Sequence, residues 1–135
     1  MTSKSPIRKI DPSRSLDFRK VAENFYEGAR LASEYKYYNA AGVLIVHAAI
    51  AYSDAISIKN KSVKIHGENH YEIISLLNDI IPHSEEKKKA LNNLKNIIDH
   101  KNKVSYSGDV YYKKDIESLW KHFERFKIWA EKILI

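Results

Sequence analysis

The sequence predicts an all-α fold, an up-and-down bundle of four to five helices. Three observations predict it. Apolar residues recur at three- and four-residue steps through most of the 135 residues, which places them on one face of a helix. Glycine (4) and proline (3) are too scarce for the many tight turns of a β-sandwich. No segment shows a convincing run of strand alternation. Hydrophobic residues make up 44%, enough for one core, and the length suits a single domain.

Residues 1–13 read as an N-terminal tail, with Pro6 and Pro12 breaking any early helix. The helical domain spans 14–135. Its first helix is expected at about 14–36, capped by Ser13 or Ser15, with Phe18, Ala22, Phe25, Ala29 and Ala32 forming its apolar stripe. The second, about 38–58, has Asn39 as its expected cap. From Ala40 to Ala51 it is apolar on nearly all sides, so it is placed at the centre of the bundle. That apolar run is broken by His47 and is too short to cross a bilayer.

A polar loop, 59–69, holds Gly67. A short helix follows at about 70–81, with Ile73, Ile74, Leu77 and Ile80 inward and Pro82 ending it. Ser84 followed by Glu85 and Glu86 marks a capped start. That helix is expected to run unbroken to about 103, with Leu91, Leu94 and Ile98 on its inner face. After the break at Gly108, a last helix at about 112–134 carries Ile116, Leu119, Trp120, Phe123, Phe126, Ala130, Ile133 and Leu134 inward.

The chain has no cysteine, which removes disulfides, thiolate metal sites and cysteine nucleophiles together. The polar, basic N-terminus lacks the apolar run of a signal peptide, so a cytoplasmic location without membrane attachment is expected. Net charge is +6, which favours polyanionic partners. No phosphate loop, nucleophile elbow, dinucleotide fingerprint or zinc-protease helix is present, and no cofactor is expected.

Three stretches resemble the HEPN family, small helical bundles of prokaryotes and higher eukaryotes. One is Tyr37-Tyr38-Asn39-Ala40-Ala41 through His47-Ala48-Ala49-Ile50-Ala51. Another is Glu68-Asn69-His70-Tyr71-Glu72-Ile73-Ile74-Ser75-Leu76-Leu77. The third is Leu94 to Gly108, a helix running out into Lys101-Asn102-Lys103-Val104-Ser105-Tyr106-Ser107-Gly108. The resemblance implies a homodimer that binds RNA or a nucleotide, with a nucleotidyltransferase or other antitoxin as partner. Many members are metal-free ribonucleases with an Arg and a His separated by four to six residues, which supply a cation and a proton acceptor.

This sequence departs from that pair. Counted back from Tyr106, the family's His falls on Val104 and its Arg on Asp99. Val104 moves no proton, and Asp99 repels phosphate. The nearest substitute is Lys95 with His100, although residues five apart on a helix point different ways and lysine lacks arginine's planar clamp. The expected function is therefore a HEPN-like domain that binds RNA, a nucleotide or a partner protein and is catalytically degenerate. The alternatives are a ribonuclease using Lys95 and His100, or an interaction domain with no nucleic-acid role.

Lys101, Lys103, Tyr106, Tyr111, Tyr112, Lys113 and Lys114 interleave cations with aromatic rings. Lysine neutralises phosphate and tyrosine stacks bases, so Lys101, Lys103, Tyr106, Lys113 and Lys114 are the expected binding residues. Lys59, Lys61 and Lys64 join them if their loop folds to the same end. His47 is expected to be a buried, bonded histidine, with Asp54 two turns along the same face. His66 and His70 lack a third ligand, so no metal site is expected. Lys87-Lys88-Lys89 is explained by local pairing with Glu85 and Glu86 on a solvated face.

Overall fold

The computed structural model describes residues 7–67 and 69–135. Pro6, expected to break an early helix, and Glu68, the first residue of one family-like stretch, lie outside them. The bundle is built around α2 (Tyr38–Lys61), whose alanines let neighbouring helices approach on every side. Ile45, Val46, Tyr52, Ile56 and Ile58 are sealed within it. The helix runs beyond the predicted end at 58. It is long and apolar enough to cross a membrane, with a mean hydropathy of 1.6 over its best 18 residues, but 78% of that window is buried inside the bundle.

Helix α1 (Ser15–Glu34) packs antiparallel to α2 through Ala22 and Ala29. Helix α3 (Tyr71–Ile80) runs antiparallel to α4 (Glu85–Asp99): Tyr71 donates to Asp99 at one end, and Lys87 donates to the carbonyls of Asn78 and Ile81 at the other. A one-turn helix, α5 (Lys101–Ser105), leads to α6 (Lys113–Leu134). Helix α6 descends beside α2 in the same direction. Tyr111 meets Asn39 above, and Lys59 donates to the carbonyls of Ile133 and Ile135 below. The order α1, α2, α4, α6 is therefore up, down, up, down, with Phe123 and Phe126 filling the centre.

Several local expectations are corrected. The predicted tail contains a strand, β1 (Ile7–Lys9), paired antiparallel with β2 (Val63–Ile65) from the predicted polar loop; Arg8 stands opposite Lys64. Three residues are too few for alternation to show. Asp11, not Ser13 or Ser15, starts the first helical turn, a 3-10 turn at Pro12–Arg14, by accepting from the Ser13 amide. Ser15 is buried and donates to the Ala55 carbonyl at 2.8 Å. The predicted helix 84–103 breaks at His100, whose amide bonds to the Ile97 carbonyl before α5 resumes. Ser84 does cap α4, accepting from the Lys87 amide at 3.0 Å.

His47 is exposed rather than buried, with its ring 5.7 Å from that of Phe25. Asp54, two turns on, is 7% exposed and faces Lys64 at 3.9 Å rather than His47. The lysine run is also not a locally paired face. Lys87 is buried at the end of α3, and Glu86 reaches Lys132 on α6 at 3.4 Å.

Candidate nucleic-acid interface

Asn39 organises one end of the bundle. Expected to cap α2, it instead spans the chain. Its amide nitrogen donates to the carbonyls of Val104 (3.0 Å) and Asp109 (2.9 Å), and its oxygen accepts from the Tyr111 amide (2.8 Å). Those bonds fix the α5–α6 connection against the start of α2. Below them, Gly42 leaves room for Val104; a Cβ at 42 would stand 2.5 Å from Val104 Cγ2. Val104 is thus a core residue at 5% exposure.

The α1–α2 turn lies at this same end. The Tyr37 amide bonds back to the Ala32 carbonyl (2.8 Å) and the Lys36 amide to that of Ser33 (3.1 Å), a helix-ending turn with Lys36 left-handed at φ 65°. Tyr35, Tyr37, Tyr106 and Tyr112 all project, at 63–81% exposure. Lys36, Lys103, Lys113 and Lys114 are exposed beside them in sequence. Acids at this end include Glu34, Asp109 and Asp115, the last of which accepts from the Tyr112 amide at 2.8 Å, with Asp99 on the Lys101 side. Sequence reasoning missed the Tyr35–Tyr37 half, because tertiary contacts such as those of Asn39 join it to residues some seventy positions away.

The predicted binding residues divide. Lys103 lines a cleft of about 270 Å³ with His100, Asp109, Val110, Tyr111 and Asp115. Lys101, two positions away on α5, lies on the other side, in a cavity of about 240 Å³ with His70, Tyr71 and Asp99, and close enough to His47 to lower its pKa after burial has done so. Tyr111 is 5% exposed, so it stacks on no base; its hydroxyl shares a 2.5 Å hydrogen bond with His100 Nδ1. Lys59 sits at the opposite end of the molecule, on the last carbonyls of α6, and Lys64 faces Asp54. These two do not extend the surface.

The catalytic substitutes are also apart. Lys95 is exposed on α4, tied to Asp99 at 3.3 Å, and lines a groove between α3 and α4. His100 stands past the end of α4 in the Lys103 cleft. Tyr71 donates to Asp99 at 2.6 Å and, with Lys95, holds that carboxyl below its ordinary pKa against partial burial. Burial, then the Lys103 charge, lowers the pKa of His100. Among the described residues no cluster of three or more His, Asp or Glu is placed to hold a metal, and His66 and His70 share no helix. Compared with known proteins, the chain matches no family model, no curated protein and no solved structure.

Proposed function

We propose that this chain is a HEPN-like bundle that binds RNA or a nucleotide at its tyrosine- and lysine-rich end without strong catalysis, in a dimeric, antitoxin-partnered setting. The observation that carries it is the set of four projecting tyrosines interleaved with Lys36, Lys103, Lys113 and Lys114. Exposed rings that large gain by stacking, about 1–3 kcal/mol per base, and the lysines neutralise phosphate. Fluorescence anisotropy with a single-stranded RNA oligonucleotide tests it. Affinity is expected to fall steeply between about 50 and 200 mM salt, and to drop again in Lys103→Ala, Lys113→Ala and Tyr106→Ala. Binding indifferent to salt and to these changes overturns the reading.

One observation favours a second reading, metal-free RNA cleavage. His100 is pinned by Tyr111 and its lowered pKa keeps it neutral at pH 7, the form that accepts a proton. In the tautomer whose Nδ1–H donates to the Tyr111 hydroxyl, Nε2 is the proton acceptor; Lys95 lies outside this cleft, so the cation beside His100 is Lys103. Cleavage without added metal that disappears in His100→Ala, read on a denaturing gel, is the expected result. Equal cleavage by the variant removes this reading.

A further inference from the structure

On the flank of the bundle, away from the tyrosine-rich end, α3 and α4 enclose an open groove of about 650 Å³. Its α4 wall includes Lys88, Leu91, Asn92 and Lys95. These positions follow the i, i+3, i+4, i+7 spacing, so they form one stripe two turns long, roughly 10 Å from first to last. Leu91 and the half-buried Ile74 of α3 give an apolar floor. Lys88 and Lys95 stand at its rim, with His83 at one end.

Lys87, which also lines the groove, donates to the Asn78 and Ile81 carbonyls, but the charge of the other lysines is not spent internally. Neither Lys88 nor Lys89 makes an ion pair among the described residues. Lys95 is held only by the exposed pair with Asp99, an arrangement worth little and easily exchanged. Glu85 is the acid on the wall. A groove between two helices, with an apolar floor and lysines two turns apart along one side, has the shape and charge that seat a third helix.

We propose that this groove docks an acidic amphipathic helix of a protein partner. Its apolar face would lie on Ile74 and Leu91, and its carboxylates, two turns apart, would meet Lys88 and Lys95. A second copy of this chain fits poorly because its net charge is +6. A nucleic acid would match the lysines but leave the apolar floor uncovered.

The test is an NMR titration of the ¹⁵N-labelled full chain with a synthetic helical peptide carrying Leu on one face and Glu on the other. The control is a peptide of the same composition, scrambled to lose the apolar face. Shift changes are expected at Ile74–Asn78 and Lys88–Lys95, with affinity about tenfold or more weaker in the double variant Lys88→Glu, Lys95→Glu. Both positions are exposed, and circular dichroism checks that the variant keeps its fold. Four results would overturn the proposal: no shifts at millimolar peptide, equal binding of the scrambled peptide, unchanged affinity in the double variant, or an RNA oligonucleotide moving the same α3 and α4 amides.

Discussion

Lys36 occupies a left-handed turn position where glycine is ordinarily favoured, since a Cβ there crowds the following carbonyl. The turn itself is well made, with the Lys36 and Tyr37 amides both satisfied by carbonyls of α1. Glycine would therefore keep the same hydrogen bonds and relieve the strain. Lys36→Gly is expected to raise unfolding stability by about 1 kcal/mol in urea denaturation. The same change removes a cation flanked by two projecting tyrosines, so RNA affinity is expected to fall while stability rises. A variant that is more stable and binds equally well would show that Lys36 takes no part in the surface.

At the scale of elements, the contact between α2 and α5 decides where the basic turn sits. Gly42 accepts Val104 so closely that even a methyl group would clash. Gly42→Ala is expected to destabilise the fold by about 1–3 kcal/mol, as overpacking does. The loss should shrink when Val104→Ala is combined with it, because the second change removes the clashing atom; a double-mutant cycle in urea measures the coupling. Additive losses would mean that the two residues do not meet.

The same contact shows what the sequence made legible. The long helices were readable because their faces are set by a period within one segment, as in α6 from Ile116 to Leu134. The break at His100 was not, because it follows from Val104 turning inward onto a glycine some sixty residues earlier. Strands β1 and β2 were hidden for a related reason: each is three residues long, and the pairing, not the pattern, makes them. The lysines and tyrosines of 101–114 were visible as a run. That Lys101 and Lys103 face opposite ways, that Tyr111 is buried, and that Tyr35 and Tyr37 join the surface all depend on the tertiary contacts of Asn39 and α5.

For the whole molecule, the buried carboxyl of Asp54 sets a pH dependence. Burial raises its pKa to about 7, and Lys64, at 3.9 Å on β2, only partly offsets that. An acid whose folded pKa lies above its unfolded value favours the folded state while protonated. The Asp54 contribution is therefore full below about pH 4, falls as the unfolded chain ionises and the folded one does not, and levels off above about pH 7. The rise to about 7 corresponds to a penalty on the order of 4 kcal/mol at alkaline pH. His47 and His100 act in the opposite sense, since partial desolvation lowers the pKa of both, so the parent profile alone mixes the effects. Subtracting the profile of Asp54→Asn isolates the carboxyl. The variant is expected to be more stable than the parent at pH 8, with the difference shrinking toward pH 4, read by thermal or urea unfolding across that range. A constant difference would mean that Asp54 ionises in the folded protein as it does in the unfolded chain, and that Lys64 fully compensates its burial.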